Sequence, residues 1–88
     1  MHEAQLVTLY ARQGCHLCDD ALALLRQLAP RYPFRIEVVD IETDDDLLRR
    51  YLFEIPVVVV HGQEVAKAPI RRRALEDALA GVLRSGGA

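Results

Sequence analysis

Four consecutive β-branched residues, Val57 to Val60, stand behind Pro56 and ahead of His61-Gly62. A run of that length and branching reads as a central strand. His61-Gly62 supplies a tight turn, and Gln63 to Lys67 returns as the hairpin partner. A central strand needs further strands beside it and layers above and below it, and the rest of the chain supplies them. Leu6 to Tyr10 is a short β-rich run that Gly14 ends. From Leu17, apolar residues recur at 17, 21, 24, 25 and 28, the spacing of one helical face, until Pro30 and Pro33 stop the helix. Phe34 to Ile41 alternates loosely and then turns apolar, as a buried strand does. Thr43 is placed to cap a second helix through Phe53, with Asp44, Asp45 and Asp46 suiting its N-terminal dipole. After Pro69, residues 71–84 form a last helix with Leu75, Leu79 and Val82 on one face, and residues 85–88 fray.

The order is therefore β-α-β-α-β-β-α. Its first half makes parallel strands joined by a helical crossover, and its second adds an antiparallel hairpin and a covering helix. The expected architecture is α/β, a four-stranded mixed sheet flanked by three helices. At 88 residues the chain reads as one domain, since separate cores normally need roughly 50 residues each. A hydrophobic fraction of 51%, with five Gly and four Pro, excludes a disordered or low-complexity chain. Eleven basic against thirteen acidic residues leave a net charge of −2, so no basic field calls for nucleic acid. The longest apolar run, 55–60, is far short of the roughly 20 residues that span a bilayer. The first six residues show neither a basic flank nor a long apolar stretch of the kind a secretory signal carries. The expectation is a small soluble monomeric domain of the cytoplasm, with no membrane or nucleic-acid partner.

The chain has two cysteines, in the run Cys15-His16-Leu17-Cys18. Small secreted domains stapled by disulfides usually carry four or more. A loop this short constrains little of the unfolded chain, so stability is a poor reason to pair them. Redox chemistry, half of a metal site, or accident remain. On the predicted map the pair sits where the first strand ends and the first helix begins, with Cys15 before the first turn and Cys18 within it. Unpaired amides at a helix start stabilise an anion, and such positions lower a cysteine pKa from about 8.5 into the range of roughly 3.5–7.5. Cys15 as thiolate would attack a disulfide, and Cys18, one turn on, would resolve the mixed disulfide.

The segment Tyr10-Ala11-Arg12-Gln13-Gly14-Cys15-His16-Leu17-Cys18, with Ile55-Pro56 ahead of a valine strand, resembles the glutaredoxin-like branch of the thioredoxin superfamily. The resemblance runs from Leu6 to about Leu83 with the elements in the right order. It implies a thioredoxin-like fold and a dithiol-exchange enzyme, a thiol–disulfide oxidoreductase. By the same resemblance, Pro56 is a cis-proline facing the redox pair, and the backbone of Ile55 pairs with an extended substrate segment beside Cys15.

The departures from that family's pattern bear on its co-substrate, glutathione. Glu54 stands where glutathione-using members carry a Thr. Their glycine pair falls here on Ala66-Lys67, and their acidic pair on Pro69-Ile70. The exposed amide cradle is therefore missing, and of that site only a basic residue three before the first cysteine, Arg12, survives to meet a carboxylate. Glutathione remains a possible co-substrate, and it is expected to be a poorer electron donor than a reductase. The same region brings in Arg71-Arg72-Arg73 at the start of the last helix. Cations there oppose the helix dipole, so they form either a solvated face or a docking patch, Arg71 and Arg73 foremost, for an acidic partner.

His16, inside the motif, would stabilise a neighbouring thiolate as an imidazolium, while Asp19 and Asp20 push the other way. His61 belongs to a turn, His2 to a mobile tail, and Asp44 to Asp46 to a helix start. Tyr10 is expected to pack beside the active-site loop. No Ser/His/Asp arrangement or phosphate-binding glycine loop is present. Two alternatives stand beside the redox reading. One is a zinc or iron–sulfur module, for which two further ligands would be needed. The other is a thioredoxin-fold binding module whose cysteines serve no turnover.

Overall fold

A computed structural model describes residues 5–86, and within it β1 (Gln5–Ala11) runs up the middle of the molecule. It is followed by α1 (His16–Leu28), a 3-10 turn at Ala29–Arg31, β2 (Phe34–Asp40) and a second 3-10 turn at Ile41–Thr43. The chain continues through α2 (Asp45–Tyr51), β3 (Val57–Val60), β4 (Gln63–Lys67) and α3 (Arg72–Gly86). The strands form one mixed sheet in the order β2-β1-β3-β4. β1 is parallel to β2, with Gln5 opposite Phe34 and Ala11 opposite Asp40. β3 is antiparallel to both β1 and β4, and its ladder with β4 is irregular between Val58 and Val59. The fold is the thioredoxin-like α/β architecture, a mixed sheet with three helices.

The valine run explains why both faces of the sheet are covered. Val58 and Val60 point into a core with Val7, Leu9 and Ala11 of β1, roofed by α1 and α3. Val57 points the other way, into a second cluster with Ile41 and Tyr51, against which Tyr10, Leu47 and Val59 pack. A strand with apolar side chains on both sides has no face to give to water, and the two helical layers follow. Tyr10 stacks on Tyr51 with ring centroids 4.7 Å apart, and Arg50 lies 5.3 Å over the Tyr51 ring. Burial, ahead of the opposing Arg50 charge, raises the Tyr51 pKa above its ordinary value.

Several element details depart from the sequence-based expectation. The buried stripe of α1 is Cys18, Ala21, Leu25 and Leu28, whereas Leu17 is 55% exposed. One helical residue turns the side chain by about 100°, so Cys18 and Leu17 cannot both face the core. The cap of α2 is Asp44 and not Thr43: Asp44 Oδ1 accepts from the amides of Asp46 at 2.8 Å and Leu47 at 3.3 Å. Thr43 is engaged elsewhere, its hydroxyl donating to the Asp40 carbonyl at 2.7 Å. The helix also ends at Tyr51, because the amides of Glu54 and Ile55 both turn back to the Tyr51 carbonyl at 2.8 and 3.0 Å. Phe53 is thereby turned out to solvent, 94% exposed. In α3 the buried positions are Leu75, Leu79 and Leu83, with Val82 at the margin, and the helix continues to Gly86. His2 and residues 87 and 88 lie outside the described residues.

The His61-Gly62 turn takes positive φ at both residues, 53° and 76°, as a two-residue hairpin requires. His61 Nε2 lies 2.6 Å from Gln5 Oε1, and Gln5 Nε2 donates to the Leu83 carbonyl at 2.9 Å, which ties turn, first strand and last helix together. Leu25 and Leu17 differ only in which side of α1 they occupy. Leu25→Ala is expected to cost about 2–5 kcal/mol in urea unfolding, and Leu17→Ala to stay within about 0.5 kcal/mol of the parent. Equal losses at the two positions would contradict this placement of the core.

Candidate functional site

The first strand delivers the cysteines to the edge of the core. After Ala11 the chain turns through Arg12 to Cys15, the Cys15 amide donating to the Arg12 carbonyl at 3.3 Å. Gly14 makes that turn with φ +77°, a value that L side chains rarely adopt. Cys15 is extended and caps α1, its Sγ accepting the Cys18 amide at 3.1 Å. The two sulfurs are joined as a disulfide, with the Cα atoms 5.2 Å apart.

The partners are unequal. Cys18 sits in the buried stripe of α1 and is 2% exposed, whereas Cys15 is half-buried at the margin of the same cluster. A reagent arriving from solvent therefore meets Cys15 first. An anion on that sulfur would have the Cys18 amide pointed at it and the positive end of α1 behind it.

The loop after α2 also meets the core. Ile55 packs against both clusters, and Pro56 is fully buried. The Ile55–Pro56 and Ala68–Pro69 peptide bonds are both cis. Glu54, in the position expected to carry a Thr in glutathione-using relatives, is held by Lys67 Nζ at 2.8 Å. The hydrogen bond to Glu54, and then its negative charge, raise the Lys67 pKa above its ordinary value. The Lys67 charge is thus already engaged.

Arg12 is engaged as well. Its Nε donates to Glu42 Oε2, and both side chains are about half exposed. This partner was not foreseen. Ala11 and Asp40 are paired in the parallel register, so the residues just beyond each strand come together, and only the register reveals it. Beside the disulfide, between α1 and β2, lies a groove of about 280 Å³. Ala11, Leu22 and Val38 supply its apolar surface, and Arg12, Asp19 and Asp40 its polar rim. Cys18 forms part of the wall.

The remaining candidate residues are His16, inside the motif, and the arginines at the start of α3. His16 is the exposed first residue of α1, and its side chain has no hydrogen bond or ion pair among the described residues. Arg71 precedes α3 and its carbonyl accepts the Leu75 amide at 2.9 Å. Arg71 and Arg73 are exposed, and no contact among the described residues joins them to the cysteines. Arg72 reaches Gln27 Oε1 in the last turn of α1, and Arg31 pairs with Glu76. No group of three or more His, Cys, Asp or Glu among the described residues is placed to hold a metal ion. No helix among them is long and apolar enough to cross a membrane.

Comparison with known proteins agrees with this reading of the fold. No curated protein matches the sequence. Among solved structures, protein XcR50 from X. campestris is 32% identical, with a TM-score of 0.74 over 85% of this chain and 96% of its own. Protein Ne2328 from Nitrosomonas europaea is 29% identical, with a TM-score of 0.77 over 94% of this chain and 95% of its own. Thioredoxin 1 from Thermosipho africanus shares the fold at 16% identity, with a TM-score of 0.68 over 94% and 99% of the two chains. The glutaredoxin-like domain family (DUF836) matches residues 6–80. With a Cys15–Cys18 disulfide at the start of α1 in a thioredoxin-like fold, the chain belongs to the glutaredoxin-like family and carries its redox-type cysteine pair.

Proposed function

We propose that the protein is a thiol–disulfide oxidoreductase in which Cys15 is the nucleophile and Cys18 the resolving thiol. The observation that carries the reading is the unequal exposure of the pair, with the Cys18 amide directed at the Cys15 sulfur. In the reduced protein the Cys15 thiolate attacks one sulfur of a substrate disulfide, forming a mixed disulfide and expelling the other sulfur as a thiolate. Cys18 then gives up its proton and attacks Cys15 Sγ, releasing the second substrate thiol. The Cys15–Cys18 disulfide forms, and two electrons have passed from the protein to the substrate. An electron donor restores the dithiol.

The substrate is a protein or small-molecule disulfide. Ile55, which packs on the core cluster that Cys15 also borders, offers its backbone to an extended substrate segment, with Pro56 buried in the core behind it. Arg71 and Arg73 provide a cationic surface for an acidic region of a larger partner, and His16 tunes the Cys15 thiolate. In the reducing cytoplasm the net direction is substrate reduction. The donor is a dithiol reductase system in preference to glutathione. Support comes from the engaged state of Arg12 on Glu42 and of Lys67 on Glu54, and from the absence of a glycine pair in β4.

A Cys18→Ser variant is expected to accumulate a mixed disulfide with its substrate that dithiothreitol releases, and Cys15→Ser to accumulate none. Mixed disulfide on Cys15→Ser, or none on Cys18→Ser, would contradict the assigned roles. The oxidised protein is expected to be reduced faster by a thioredoxin-reductase system than by glutathione at equal reducing capacity. Efficient glutathione turnover would refute the donor assignment.

A further inference from the structure

The groove between α1 and β2 borders the disulfide, and its charge is set by a residue outside it. Asp19, Asp40 and Arg12 line the groove. The Arg12 guanidinium is held by Glu42, so its charge is answered before any ligand arrives. Asp19 and Asp40 then have no ion-pair partner among the described residues, beside an apolar surface and the wall formed by Cys18.

Glu42 is held in place by its own turn. Its amide donates to Asp40 Oδ1 at 2.9 Å, the neighbouring Thr43 hydroxyl donates to the Asp40 carbonyl at 2.7 Å, and Ile41 is fully buried in the second cluster. The turn fixes where the carboxylate stands, and the parallel pairing of Ala11 with Asp40 fixes Arg12 opposite it. An exposed ion pair contributes only about 0–1 kcal/mol, so its effect on the local field is the larger consequence.

We propose that Glu42 is a specificity-determining residue: by answering Arg12 it deepens the negative charge that Asp19 and Asp40 give the groove bordered by Cys18, so that amine-bearing disulfides are accepted in preference to carboxylate-bearing ones. Glu42 acts through Arg12 as a positioning residue and takes no part in the exchange steps. The proposal rests on the oxidoreductase reading and names its substrate class. Arg71 and Arg73 do not conflict with it: they are not among the residues that line the groove, and Arg72 between them is tied to Gln27 in the last turn of α1.

The test uses the reduced full-length protein and two small disulfides of opposite charge, cystamine and 3,3′-dithiodipropionate. The second-order rate constants for formation of the Cys15–Cys18 disulfide are compared at low ionic strength. The parent is expected to react faster with cystamine. Glu42→Gln keeps the size of the side chain, and is expected to raise the rate with dithiodipropionate about threefold and to lower that with cystamine about threefold. Those figures correspond to removing one unit charge at about 7 Å in water. Arg12→Gln leaves Glu42 unanswered and shifts the ratio the opposite way. Glu64→Gln, which removes a carboxylate paired with Arg50 in another part of the sheet, leaves the ratio unchanged. All differences shrink in ~1 M salt, where the Debye length falls to about 3 Å. A ratio unchanged in both Glu42→Gln and Arg12→Gln, with both probes still reacting, would overturn the proposal and leave the oxidoreductase reading standing. Failure of the parent to react with either probe would overturn the oxidoreductase reading itself.

Discussion

The stripe by which α1 packs on the sheet contains one of the two cysteines. Cys18, Ala21, Leu25 and Leu28 are the residues this helix buries, so Cys18 is committed to the core by the same contacts that hold the helix down. Cys15, three residues earlier, is the cap, outside the helical repeat and half open to solvent. The difference in exposure between two chemically identical side chains therefore follows from helix packing. Cys18, one turn inside the helix, is covered by the core, and Cys15, at the cap, reaches only its margin. The amide that Cys18 presents to Cys15 Sγ is one of the groups any helix start leaves without an internal partner.

Just ahead of that fixed pair in the chain, Arg12 is already satisfied by Glu42, and in the hairpin Lys67 is satisfied by Glu54. Each pair is exposed and weak in stability terms. Leu17, next to Cys18 in sequence, is apolar and open, as is Phe53 ahead of the Ile55–Pro56 loop. The site combines a half-buried sulfur with an apolar groove that Arg12, Asp19 and Asp40 also line.

Much of this was legible from the sequence because the elements announce themselves by period. The four valines and the His61-Gly62 turn require a hairpin inside a covered sheet, and the order of strands and helices then limits the topology. The site position followed from placing the cysteines at the first strand-to-helix junction. What escaped was anything decided by tertiary register. In α1 only Leu17 departs from the expected stripe: Ala21, Leu25 and Leu28 are buried and Leu24 packs beside them, while the first core position is Cys18, since cysteine packs as a small apolar side chain. Thr43 and Asp44 are equally good cap types, and the choice fell to the turn that already used the Thr43 hydroxyl. The grip of Glu42 on Arg12 depends on Ala11 pairing with Asp40, which no local pattern records. The cis bond before Pro69 likewise had no sequence signal.

The proposed assignment makes Cys15 the reactive thiol by its place at the start of α1, and Cys18 the protected one by its packing. It is tested most directly by alkylating the fully reduced native protein with iodoacetamide as a function of pH, with the modified site identified by mass spectrometry. The account expects a single early modification, at Cys15, with a rate midpoint below the ordinary cysteine value of about 8.5. Modification of Cys18 at a comparable rate, or a Cys15 midpoint at or above that value, would contradict it.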